Sequence, residues 1–156
     1  MVAVWVFVVL IGVVCGLRSL TGPAVVSWGA HLGWLPLAGS PLAFLGHPVA
    51  VALFTIFALC ELVADKLPKT PARTSVGPLI VRIICGSFCG TALALAGHGL
   101  IGVGAVLGAI GAVIGAFGGY ACRHAASGSG KLPDLPVALL EDLVAVGGGL
   151  FLVSRF

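Results

Sequence analysis

Glu61, Asp65, Glu141 and Asp142 are four of the five acidic residues in the sequence, and each stands within or at the edge of a long apolar run. An ionised side chain inside hydrocarbon is costly unless it is paired or wetted, so each of these acids is a candidate for function. Glu61 and Asp65, four residues apart, share a helix face; the neighbours Glu141 and Asp142 point about 100° apart, so one turns to a partner helix while the other snorkels. Arg82 enters a third apolar run at a similar depth. Such a cluster can bind a cation or a proton, with Arg82, Lys66 or Arg123 as counter-ions. The plainer alternative is a set of intramembrane salt bridges and interfacial charges. Glu61→Gln separates the two: the amide mimics the protonated acid of a carrier and keeps the fold, whereas breaking a structural pair strands a buried charge.

Arg18 differs, because counting basic residues by side leaves it with no acid on its own side of the membrane. It precedes Thr21-Gly22-Pro23 in the string GLRSLTGPA, where proline removes a helix hydrogen bond and a break or kink is expected near Gly22. An arginine beside broken-helix backbone can hold an anion, with the freed amides and the Ser19 and Thr21 hydroxyls assisting; alternatively it snorkels to headgroup phosphates. Cys85 and Cys89 share a helix face without a His or third Cys placed to complete a zinc site. His31, His47, His98 and His124 fall in loops or at span ends, as interfacial residues do. The tract Gly128 to Lys131 lacks the leading glycine and the Ser/Thr of a phosphate-binding loop. No metal, cofactor or nucleotide is expected.

The elements that hold these residues follow from composition. Of 156 residues, 60% are apolar and 8% charged, and the mean hydropathy is +1.21. Soluble domains carry about 25% charged residues, so this chain cannot build a water-facing surface. An all-α integral membrane protein is expected: a single transmembrane domain over residues 1–156, with about five helices of about 20 apolar residues each. The formal charge of +3 is spread over helix ends and forms no basic stripe, which excludes nucleic acid. All five cysteines lie in apolar stretches, so no disulfide framework is expected. The N-terminus lacks a signal peptide's basic n-region and cleavage site and is expected to remain.

Segment one runs from Val2 to about Leu20; beyond the break, Ala24 to Leu35 is either a short interfacial helix, with Trp28 and Trp34 at the headgroup level, or the rest of one interrupted span. Pro36 to Pro48 reads as a loop. Segment two is Val49 to Ala64, stopped by Pro68 and Pro71; segment three is Leu79 to Ala96, and Gly97-His98-Gly99 is a tight turn. Segment four, Leu100 to about Cys122, is a glycine ladder of Gly104 and Gly108, then Gly111, Gly115 and Gly119. Residues four apart share a face, so another helix can approach closely. Segment five is Pro136 to Val153.

Lys66, Lys69, Arg73 and Arg82 flank one loop and Arg123 and Lys131 another, with only Arg18 and Arg155 on the opposite side. Positive-inside counting then predicts a cytoplasmic N-terminus and an external C-terminus in a bacterial inner membrane. A faint internal repeat pairs Ala58 to Ala64 with Ala138 to Val144, and Val13 to Gly16 with Ile83 to Gly86.

The blocks GLRSLTGPAVVSW, ELVADKLPKTPART, GAIGAVIGAFGGYACRHA and ALLEDLVAVGGG, in this order over nearly the whole chain, resemble a family of small bacterial membrane proteins known only as a domain of unknown function. The resemblance implies fold and location but no activity. Its shared blocks include Arg18, Glu61, Asp65, Lys66, Pro68, Thr70, Pro71, Arg73 and Glu141. Three functions remain: a transport protein, channel or proton-coupled carrier, for a small ion or metabolite; a non-transporting scaffold or lipid-binding protein; and a membrane enzyme. The last would need a nucleophile and a base on one level, which the sequence does not offer. Transport is preferred for the broken helix and the membrane acids, with membrane lipid and further copies of the chain as partners, because five helices rarely enclose a pathway alone.

Overall fold

The computed structural model describes residues 2–65, 74–127 and 134–156, so Lys66, Lys69, Arg73 and Lys131 lie outside the described residues. Its elements are α1 (Val2–Leu17), α2 (Thr21–His31), a 3-10 turn (Ala43–Gly46), α3 (Pro48–Ala64), α4 (Val76–Ala96), α5 (Ile101–Ser127) and α6 (Asp134–Val153). The all-helical membrane fold expected from composition is therefore the fold observed. Within α4, α5 and α6 lie three stretches long and apolar enough to cross a membrane, Val76–Ala96, Ile101–Ala125 and Pro136–Val153, and α1 and α3 are equally apolar but shorter. At 16 residues, α1 spans about 24 Å.

The first segment breaks earlier than Gly22-Pro23. Helix α1 stops at Leu17, Arg18 to Leu20 make the turn, and Gly22 and Pro23 sit in the first turn of α2. A proline is tolerated there because the N–H it lacks would have no helical partner anyway. Helix α2 packs into the bundle, with its residues from Thr21 to Ser27 buried. It doubles back beside α1, and a Cβ on Gly22 would strike the Cys15 sulfur.

Three helices, α1, α4 and α5, form a tight block in which each packs on the other two. The glycine ladder of α5 is split between α1 and α4 rather than offered to one. Cβ atoms on Gly104 and Gly108 would collide with Ala94 and with the backbone of Gly86 and Gly90 in α4. Those on Gly111 and Gly115 would meet the backbone of Val9, Gly12 and Val13 in α1. With no side chains between them, the backbones touch, which is how helices pack where water gives no hydrophobic drive. Gly119 instead lines a cleft beside α6.

Around this block lies a looser layer of α2, α3 and α6. Helix α2 is its centre, with Trp28 Nε1 donating to Thr55 Oγ1 of α3 at 3.1 Å and Gly29 against Val153 of α6. The α4–α5 turn closes with Gly99 N donating to Ala94 O at 2.7 Å and His98 N to Leu95 O at 3.1 Å, His98 taking the left-handed φ of 54° usual at this kind of helix end.

The helix directions follow from contacts near the helix ends. Arg82 at the start of α4 reaches Gly16 at the end of α1, while Gly97 and Gly99 meet Val4 and Trp5, so α1 and α4 are antiparallel. The rings of Phe7 and Phe156 lie 5.7 Å apart, which puts both chain ends at one end of the bundle, not on opposite sides. Helix α2, with 11 residues, turns back beside α1 and does not continue it.

Candidate functional site: a charged lock at a helix break

A break inside a bundle leaves orphan carbonyls at the end of one helix and orphan amides at the start of the next, and in apolar surroundings each must find a partner. Both sets find charged ones. Arg82 Nε donates to Gly16 O at 2.9 Å, a cation at the negative end of α1. Glu61 of α3 accepts from Ser19 N at 2.7 Å and Leu20 N at 2.8 Å, one amide to each oxygen, an anion at the positive end of α2. Both charges have the sign the helix dipole favours.

Arg18 occupies the turn itself and is fully buried. Its Nε donates to Asp142 Oδ1 of α6 at 2.8 Å, its Nη2 lies 2.6 Å from the same oxygen, and its Nη1 pairs with Asp65 Oδ2, just past the end of α3. The expectation that Arg18 has no acid within reach is thereby overturned: α2 returns through the bundle, so the turn shares a level with the end of α3 and the start of α6. Two carboxylates fill the place that an anion would need. Arg18, Arg82, Glu61, Asp65 and Asp142 together set two cations against three carboxylates.

The other residues singled out in the sequence are placed as follows. Ser19 is buried and contributes its backbone N–H. The hydroxyls of Thr21 and Ser27 are buried without a hydrogen-bond partner among the described residues, and Thr21 lines a crevice of about 160 Å³ between α2, α3 and α6. Of the adjacent acids, Asp142 turns inward to Arg18, whereas Glu141 and Arg123 line a cleft of about 510 Å³ between α1, α5 and α6. Glu61 and Glu141, matched in the faint repeat, are not equivalent: one lies near the C-terminal end of α3, the other near the N-terminal end of α6. His31 contacts Gly46 O at 2.9 Å and His47 accepts from Val49 N at 3.3 Å, both local tethers. Sequence reasoning missed the part played by the Gly16 carbonyl and the buried Ser27. A buried arginine's need for a carboxylate was the signal available for the Arg18 pairing.

The bonding of Glu61 predicts a cost for its amide. A glutamine presents one carbonyl oxygen, so its NH₂ must face one of the two backbone N–H groups, leaving that donor unmet. Glu61→Gln is expected to lower stability by about 1–3 kcal/mol, read as a lower midpoint in detergent-based unfolding. An unchanged midpoint would show that Glu61 does not cap α2.

All-helical architecture and apolar spans define this as a helical membrane protein. The chain belongs to the family described as a domain of unknown function, DUF4126, which matches residues 6–154. No curated protein and no solved structure matches it.

Proposed function

We propose that this protein is a small membrane transport protein, a channel or proton-coupled carrier, whose gate is the Arg18 lock and whose substrate is a cation or a proton. The observation that carries the reading is that Arg18 joins carboxylates of α3 and α6, two helices that scarcely touch each other. The lock therefore ties the loose layer to the glycine-packed block. A buried ion pair is seldom more stabilising than apolar packing in its place, so stability alone gives little reason to keep one. A cation or proton reaching Asp65 or Asp142 competes with the guanidinium, and the excess of carboxylates favours positive over negative visitors. Release of α3 and α6 would let that layer move against the block, as broken-helix transporters move one bundle against another.

Among the described residues, Arg18, Arg82 and Arg123 lie at the lock end and Arg155 at the other. By the positive-inside rule the lock faces the cytoplasm and both termini lie outside, in a bacterial inner membrane. The small bundle would complete its pathway by assembling with further copies.

Proteoliposomes test this directly. The wild type is expected to dissipate an imposed proton or monovalent-cation gradient, and Asp142→Asn to abolish the dependence of that flux on pH. Vesicles that stay impermeable to protons and to a panel of monovalent cations would overturn the reading and leave the scaffold, which the glycine-packed block alone would support.

A further inference from the structure

Helices α1 and α4 carry the same five-residue pattern, Gly12-Val13-Val14-Cys15-Gly16 and Gly86-Ser87-Phe88-Cys89-Gly90. In both, the glycines rest on α5. A Cβ at Gly12 or Gly16 would meet the backbone of Gly108 or Ala112, and one at Gly86 or Gly90 the backbone of Gly108 or Gly104. Contact of backbone on backbone fixes the height and rotation of each helix. The cysteine before each second glycine points about 100° away from it, off α5, and the two sulfurs come together. Cys15 and Cys89 are both 0% exposed, and their thiols are hydrogen-bonded to each other. Both lie against Gly22 in the first turn of α2, where a Cβ would strike the Cys15 sulfur and come within 3.3 Å of the Cys89 sulfur.

A single buried thiol serves as a small apolar side chain. Two thiols brought into contact from two rigidly packed helices are also a pair of metal ligands, and their number selects the ion. Among the described residues, no three His, Cys, Asp or Glu side chains gather as a metal-binding set, so the pair offers two sulfurs and nothing more. Structural zinc takes four ligands, and calcium and magnesium take oxygen. Soft sulfur ligands select Cu(I), a d10 ion for which two thiolates in line suffice. Its binding breaks two S–H bonds, forms two S–Cu bonds and releases two protons to the buffer, with no change of oxidation state. One net negative charge remains. Arg82 is close by to offset it, its Nε donating at 2.9 Å to the carbonyl of Gly16, the residue after Cys15.

We infer that Cys15 and Cys89 form a two-coordinate site for Cu(I), closed over by Gly22. The site is one of binding and needs no flux through the lock.

Anaerobic titration of the reduced full chain in detergent with Cu(I), in competition with the chromophoric chelator bicinchoninate, tests it. The wild type is expected to retain one Cu(I) per chain and no Zn(II), with X-ray absorption showing two sulfur neighbours and no nitrogen or oxygen. A variant combining Cys60→Ser, Cys85→Ala and Cys122→Ser keeps only Cys15 and Cys89 and should bind as the wild type does. Cys15→Ala and Cys89→Ala should each weaken binding by more than about a hundredfold, beyond what losing a residue that merely supports a ligand costs. Gel filtration and thermal unfolding show whether the alanine variants are folded; the variant that keeps only the two buried cysteines decides the matter without them. A wild type or two-cysteine variant that retains no Cu(I) would overturn the inference and leave the two thiols as packing alone. So would Cu(I) that is lost with Cys60 or Cys122 and kept in folded Cys15→Ala, or a metal with more than two neighbours.

Discussion

Arg18→Met is expected to destabilise the protein by about 3–5 kcal/mol, the usual cost of removing one partner from a buried ion pair. The reason lies in what remains. Asp65 and Asp142, drawn together by one guanidinium, would be left as two carboxylates in a largely dry place with no cation between them. The same logic predicts rescue. Combining Arg18→Met with Asp65→Asn and Asp142→Leu removes the stranded charges and should recover most of the loss, because apolar replacement of a whole buried ion-pair group is often neutral or better. Unfolding in mixed micelles would show this as a large fall in midpoint for the single variant and a near-normal midpoint for the triple. The triple variant also separates structure from transport: folded but without flux, it would show that the lock is kept for gating. An Arg18→Met midpoint equal to that of the wild type would mean that the lock does not form.

How much of this was legible beforehand depends on the range of the interaction. Helix α3 begins at Pro48 and ends at Ala64, within a residue of the segment read from hydropathy, because a long apolar run bounded by proline and charge has no other way to satisfy its backbone in lipid. Helices α4 and α6 end where expected, at Ala96 and Val153, and start three and two residues before the expected segments. The break was legible in kind but misplaced, since Pro23 is the conspicuous breaker and yet belongs to the start of α2. What ends α1 is the turn at Arg18 to Leu20, on which Arg82, Glu61, Asp65 and Asp142 converge.

That convergence could not be read locally, since the Arg18 contacts span 47 and 124 residues of chain. With α1 and α2 taken as one apolar segment, Arg18 stands without an acid; with α2 turned back beside α1, the turn at Arg18 meets Asp65 and Asp142. The glycine ladder shows a similar limit: its four-residue spacing announces close packing, but which steps meet α1, which meet α4 and which meet neither is decided by the assembled bundle.

Gly108 and Gly118, on the same face-rich helix, are therefore expected to respond to alanine in opposite directions. A methyl group at Gly108 would collide with the carbonyl oxygen of Gly86 and come within 3.1 Å of the Gly90 Cα. These are backbone atoms of a packed helix and cannot rotate aside, so α4 and α5 must separate. Because α1 also packs on α5 through Gly12 against the Gly108 carbonyl, the displacement loosens the whole block. Gly108→Ala should cost about 1–3 kcal/mol as an overpacked site, and Gly108→Leu should prevent assembly of the block. At Gly118 a Cβ meets nothing within 4 Å, and what remains is the helix-forming advantage of alanine over glycine, about 0.5–1 kcal/mol. Gly118→Ala should accordingly match or exceed the stability of the wild type. Steric-trapping or detergent-titration unfolding of the two variants side by side gives the comparison. Equal tolerance at both positions would show that α4 and α5 do not meet backbone to backbone, and the block to which the lock is fastened would have to be redrawn.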